Sequence, residues 1–182
     1  LLLGLAAMPP LWPRASARVL AALTVRAGFL FLAIGAPGLL TLAIKQLFGR
    51  ARPYVAEGAP YLLHPFALRS EYASFPSGHS TTAFAAAAAI GALWPRAGIV
   101  TWAYALVIAS SRVVVTAHFP SDVIGSAIVG VLGAMMVRNY FATRRLAFGI
   151  QPDGTVHAFA GPSYRRIKRL AVDLSAQWTR RT

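Results

Sequence analysis

The sequence predicts an all-α protein, a membrane-embedded helical bundle, on three observations. Of its 182 residues, 57% are hydrophobic and only 13% charged, and the mean hydropathy is +0.57; an ordinary soluble domain is less apolar than this. The apolar residues fall into long runs that approach the roughly 20 residues a helix needs to cross a bilayer. The basic residues gather at the ends of those runs, where membrane topology and anionic ligands place them.

In chain order, LLLGLAAM at residues 1–8 is apolar but too short to cross, and reads as the end of a helix; the chain is therefore expected to lack an N-terminal portion. Residues 9–26, with Pro9, Pro10, Pro13, Arg14, Arg18 and Arg26, read as a basic connection leading into a helix. The first complete span covers residues 27–44, with Pro37 as an expected kink that membrane helices tolerate. Residues 54–75 show neither helix nor strand pattern. A second, alanine-rich span runs from His79 to Trp94, a third from Ala97 to Val115, and a fourth from Asp122 to about Val137. The expectation is thus four complete transmembrane helices and a partial N-terminal one, forming a domain over residues 1–145. Residues 146–182 form a basic tail in which Pro152-Asp153-Gly154 and Gly161-Pro162 signal turns. Its segment 163–178 fits either a basic amphipathic helix on the membrane surface or a solvated tail.

Alternating spans put three polar clusters on one membrane face: Lys45 and its followers, the stretch before His79, and Arg112 to Asp122. The other face holds Arg14, Arg18, Arg26, Arg96, Arg138, Arg144, Arg145 and the tail, and the positive-inside rule makes that face cytoplasmic. The formal net charge of +13 raises nucleic acid as a partner, but cations placed at the ends of apolar runs argue for a bilayer and an anionic ligand instead. The absence of cysteine excludes disulfides and thiolate metal sites. The five acids, Glu57, Glu71, Asp122, Asp153 and Asp173, are scattered, whereas a two-metal phosphatase needs clustered carboxylates. No metal or other cofactor is expected.

The clusters carry a coherent chemistry. Ser77 is a good N-cap, Gly78 lets backbone approach a ligand, and His79 falls in a first helical turn whose free N–H groups and dipole suit phosphate. Lys45 and Arg52 are seven residues apart, two helical turns, which places them on one helix face that Pro53 ends. Arg112 precedes His118 by six residues and Asp122 follows it by four. Cations neutralise phosphate oxygens, and a histidine held by a carboxylate on one ring nitrogen offers the other as nucleophile or base. A second histidine can protonate a leaving oxygen. Together these groups suffice to cleave a phosphate ester through a phosphohistidine.

Each residue also has a plainer role. Lys45 and Arg52 fit interfacial anchors, a lone His79 or His118 fits a capping or solvated histidine, and Asp122 fits a helix cap. Arg50, Arg69 and His64 lie outside the pattern and are assigned no role, and His157 falls in the tail on the other face.

The set Lys45-x6-Arg52-Pro53, Pro76-Ser77-Gly78-His79 and Ser111-Arg112-x5-His118-x3-Asp122 resembles the three-part signature of the type-2 phosphatidic acid phosphatase superfamily. The resemblance covers residues 45–122 and implies an integral-membrane, metal-independent lipid phosphatase. It implies His118 as nucleophile, Asp122 as its orienting partner and His79 as the acid for the leaving group. Lys45, Arg52 and Arg112 would hold the phosphoryl oxygens, assisted by Ser77 and the Gly78 N–H. The membrane members usually have six spans, more than are visible here. Substrates implied are undecaprenyl diphosphate, phosphatidic acid, phosphatidylglycerol phosphate or the phosphates of lipid A, and the site of a bacterial inner-membrane enzyme is expected to face the periplasm or cell exterior. Haloperoxidases sharing the pattern are soluble, unlike this chain. A lipid-to-lipid phosphotransferase and a non-enzymatic phospholipid binding or transport protein are the alternatives, and the second needs no His118–Asp122 pair.

Overall fold

The computed structural model describes residues 14–57 and 59–178. It is mostly helical: α1 (Arg14–Phe48), a 3-10 turn (Ser70–Tyr72), α2 (Gly78–Leu93), α3 (Pro95–Val114), α4 (Pro120–Thr143), strands β1 (Phe148–Ile150) and β2 (Val156–Ala158), and α5 (Tyr164–Trp178). Residues 1–8, read above as a helix end, lie outside the described residues. Two compact units partition the chain, one of residues 30–140, the other of the segments up to residue 29 and from residue 141 onward.

Among the described residues three helices are long and apolar enough to cross a membrane, α1, α3 and α4, where the sequence predicts four spans. The difference is α2, whose 16 residues reach about 24 Å at ~1.5 Å per residue, short of the ~30 Å hydrocarbon core. Residues 14–26 correct one expectation. They are the first turns of α1 and not a connection, so one helix of 35 residues runs through Pro37 without a break. Arg14 and Arg18 do not interrupt it because arginine is a good helix former.

In the unit of residues 30–140, small residues let the helices approach closely. A Cβ at Gly130 would lie 2.5 Å from the Thr81 carbonyl oxygen of α2, and one at Gly133 would lie 2.5 Å from Cγ of Pro37 in α1. Without a hydrophobic drive between helices in lipid, this contact area is what dispersion has to work with. Thr41 donates a hydroxyl hydrogen bond to Thr81 at 3.1 Å, joining α1 to α2. The core packs Phe84 and Ala87 of α2 against Ala105 and Ala109 of α3, with Val123, Ala127 and Val131 of α4 beside them. The alanine-rich α2 packs closely, with Ala85, Ala87 and Ala89 all buried. Phe31, Leu39, Ile99, Val107 and Met136 are exposed, as lipid-facing side chains are.

The helix ends follow local rules. Ser77 caps α2, Pro95 occupies the start of α3, and Pro120 opens α4, where its missing N–H has no partner to lose. α1 stops because Gly49 takes φ +55°, while its N–H donates to the Lys45 carbonyl at 2.8 Å. A Cβ there would fall 1.8 Å from the His64 carbonyl oxygen. Gly49→Ala is therefore expected to lower unfolding stability by about 2–4 kcal/mol, from left-handed strain and overpacking together; a thermal unfolding midpoint equal to wild type would refute this.

In the other unit, β1 and β2 form an antiparallel hairpin, with Phe148 opposite Ala158 and Ile150 opposite Val156. Its turn is the predicted Pro152-Asp153-Gly154. Asp153 accepts hydrogen bonds from the N–H and hydroxyl of Thr155 at 2.9 and 2.7 Å, which hold its carboxyl below the ordinary carboxylate range. Phe29 packs edge-on against Phe141 and Phe148. The segment 163–178, for which the sequence left two options, is helical, with Leu170 buried.

Candidate active site

The site forms where α1 and α3 end and α2 and α4 begin. Lys45, in the last turn of α1, donates to the Ala73 carbonyl at 2.5 Å. It lies beside the start of α2, since a Cβ on Gly78 would be 4.0 Å from the Lys45 Cε. The expectation that Lys45 and Arg52 share a helix face is incorrect, because Gly49 ends α1 at Phe48 and Arg52 sits on the loop beyond. Its placement comes instead from tertiary hydrogen bonds. The Arg52 N–H donates to the Glu71 carbonyl at 2.8 Å, Nε to the Ser70 carbonyl at 2.9 Å and Nη1 to the Ala117 carbonyl at 3.5 Å. Arg52 thereby reaches the residue next to His118.

Ser77 is fully buried, and its Oγ accepts from the N–H and hydroxyl of Ser80 at 3.5 and 3.1 Å. Its own N–H points to the Asp122 carbonyl at 3.4 Å, which ties the start of α2 to the first turn of α4. His79, two residues further on, is exposed.

The turn from α3 to α4 holds the other components. Thr116 takes φ +53°, a left-handed value that a β-branched residue rarely adopts. Its N–H donates to Val113, and the N–H groups of Ala117 and His118 both donate to the Arg112 carbonyl at 3.2 Å. This is a Schellman-type helix end built on threonine where glycine is usual. It fixes the spacing of Arg112 and His118 through the backbone.

Asp122 is completely buried. Its Oδ2 accepts from the Ser74 hydroxyl at 2.6 Å and from the Phe119 N–H at 2.8 Å, the second being the backward half of a capping box. Its Oδ1 accepts from Arg50 Nη1 at 2.6 Å. His118, 4% exposed, places Nδ1 3.7 Å from Asp122 Oδ2, beyond hydrogen-bond length. That nitrogen is buried without a hydrogen-bond partner. The cap expected of Asp122 and the histidine partnership are therefore not alternatives, since one carboxylate faces both.

Arg50 is the residue that sequence reasoning set aside. Besides Asp122 it donates to the Ser121 hydroxyl and the Pro60 carbonyl, each at 2.9 Å, and its guanidinium lies 4.5 Å from the centre of the Phe119 ring. It links the loop of residues 54–75 to the buried carboxylate. Its neighbours in sequence gave no signal, because the partner is 72 positions away. His64 packs edge-on against Tyr72 in the same loop.

A helical membrane protein that carries a lysine, arginines, two histidines and one buried aspartate at or next to its helix ends is the class these observations define. Residues 26–146 match the PAP2 superfamily, and the chain belongs to that superfamily. Two relatives are both "Lipid A 1-phosphatase", from Rhizobium johnstonii, 39% identical over 127 residues, and from Rhizobium etli, 37% identical over 127 residues. Each alignment covers 69% of this chain but only 52% and 55% of the relatives, so the chain spans about half the length of the proteins it matches. No solved structure matches.

Proposed function

We propose that this chain carries the catalytic centre of an integral-membrane, metal-independent lipid phosphatase, and that its substrate is lipid A bearing a 1-phosphate. The substrate follows from the names of the relatives, and the chemistry from one observation: a buried histidine whose unpartnered Nδ1 faces a carboxylate already fixed by three donors. Closing that 3.7 Å gap as substrate loads turns Nδ1 into a donor and leaves Nε2 to attack; catalytic hydrogen bonds commonly tighten only in the complex. The Nε2–P bond forms as the P–O bond to the lipid breaks, and His79 protonates the departing oxygen. Water then attacks phosphorus, His79 takes its proton, and phosphate leaves with His118 restored. Lys45, Arg52 and Arg112 neutralise the phosphoryl oxygens, with Ser77 setting the start of α2 and the Gly78 N–H aimed at the ligand.

The test is inorganic phosphate release in detergent from lipid A 1-phosphate, phosphatidic acid, phosphatidylglycerol phosphate and undecaprenyl diphosphate, with EDTA present. An acid-labile, base-stable phosphoprotein trapped during turnover supports the mechanism, and fastest release from lipid A supports the substrate. Release abolished by EDTA would sink the metal-free reading. Binding of the lipids without turnover would make the cations a head-group clamp.

Gly78 offers a separate check. A methyl group there meets only the Lys45 Cε at 4.0 Å, so the protein alone does not require glycine. Gly78→Ala is expected to fold as wild type does yet release phosphate roughly 10- to 100-fold more slowly, as a substrate displaced by about 1 Å would. Equal rates would show that no ligand approaches this backbone.

The site belongs on the periplasmic side of the inner membrane, with residues 146–182 as a cytoplasmic tail, because the basic residues away from the site obey the positive-inside rule. Cysteines introduced singly as Pro60→Cys and Arg145→Cys, treated with an impermeant reagent from the periplasmic side, should label at position 60 alone. Labelling at position 145 alone would reverse the orientation.

A further inference from the structure

A second basic site lies in the unit formed by the chain ends, which contains none of the residues the phosphatase reading uses. The first turns of α1, the segment around Gly161 and one face of α5 enclose an open groove of about 870 Å³, within the usual range for small-molecule sites. Its apolar floor includes Val19, Ala22 and Pro162, and its rim carries Arg18, Arg165, Arg166, Lys168 and Arg169. The lone acid among the lining residues is Asp173, whose carboxylate accepts a hydrogen bond from the Ser16 hydroxyl. Five cations thus face one carboxylate that is already engaged.

Among the described residues no carboxylate forms an ion pair with these cations. Arg165 and Arg169 are spaced i, i+4, where like charges on one helix repel. Behind the wall, Arg26 is buried and gives its guanidinium N–H groups to the carbonyls of Ala22 and Phe159 at 3.0 and 2.8 Å. No carboxylate pairs with it among the described residues, and a Cβ on Gly161 in the groove wall would lie 3.8 Å from its Nε. An apolar floor under a cationic rim suits a ligand with an anionic head and an apolar body. The groove also lies N-terminal to the uncharged stretch of residues 27–44, where a membrane helix passes into the head-group layer. Tyr164, exposed at the start of α5, is the aromatic side chain that this layer favours.

We infer that this groove binds the head group of an anionic phospholipid from the surrounding membrane, with the phosphate among the cations of α5 and α1 and the glycerol and upper acyl chain on the apolar floor. The site is independent of the phosphatase reading, and α5 lies beyond residues 26–146 that match the superfamily.

The test uses the full chain in detergent and follows binding by native mass spectrometry. The probes are dioctanoyl phosphatidylglycerol, dioctanoyl phosphatidylcholine and inorganic phosphate. Phosphatidylglycerol should bind and phosphatidylcholine should not. The double variant Arg165→Ala/Arg169→Ala should weaken phosphatidylglycerol binding by about thirtyfold, since each cation near an anionic head group contributes about a factor of five. Arg112→Ala, in the phosphatase site, should leave this binding in place. Raising salt from low to high concentration should weaken it in the wild type, a measurement that needs no variant. Unchanged affinity in the double variant, equal binding of phosphatidylcholine, loss only in Arg112→Ala, or salt-insensitive binding would each overturn the inference. Displacement of the lipid by equimolar inorganic phosphate would overturn it too, showing a free-anion site.

Discussion

His118→Ala is expected to reduce phosphate release by roughly 10³- to 10⁶-fold, the scale on which loss of a covalent nucleophile acts, while lipid binding persists. Three cations on three different elements remain to hold the phosphoryl group: Lys45 at the end of α1, Arg52 on the following loop and Arg112 at the end of α3. None of them depends on the His118 side chain for its hydrogen bonds, because Lys45 and Arg52 are held by the carbonyls of Ala73, Ser70 and Ala117. The backbone of residue 118 keeps its bond to the Arg112 carbonyl whatever the side chain. Turnover and binding measured on the same preparation decide the matter. Binding lost in parallel with turnover would mean that His118 serves the ligand site and not the chemistry.

Asp122→Ala should be the more damaging substitution for the fold. The carboxylate is completely buried, the Arg50 side chain is only 12% exposed, and removing one partner of a buried ion pair leaves the other uncompensated at about 3–5 kcal/mol. The Ser74 hydroxyl and the Phe119 N–H lose their acceptor as well. Activity should fall by about 10²- to 10⁴-fold in whatever folded protein remains, because His118 loses the group that orients its ring. Pairing the change with Arg50→Ala separates the two effects. The double variant should recover part of the stability lost in Asp122→Ala, since no unpaired guanidinium is then buried, but none of the activity. Additive destabilisation would show that Arg50 and Asp122 do not act as a pair.

Arg50 also marks the limit of what pattern reading can reach. The signature residues could be found because each cluster is short and chemically dense: His118 and Asp122 are four apart, and Ser77 to His79 are contiguous. Arg50 lies in the midst of one cluster, two residues before Arg52, yet its partners Ser121 and Asp122 come from another. Arg52 went wrong for a related reason. A spacing of seven implies one helix face only if the helix continues, and Gly49 takes a left-handed conformation that ends it. Arg52 reaches the site through Ser70 and Ala117 instead.

By itself the sequence determined that this is a helical membrane protein, because hydropathy and charge placement express the solvent in which each segment is stable. It also determined where a helix begins and stops wherever the signal is local, as at the Ser77 cap and at the end of the second span near Trp94. Local backbone chemistry acts over a few residues and is written in order along the chain. Only the tertiary structure decided that α1 starts as early as Arg14 and that Arg50 is the cation on the buried carboxylate. It alone brought Arg18 of α1 to the same groove as the cations of α5. These depend on which distant segments meet, and a buried charge takes the partner that packing delivers, which no spacing along the chain records.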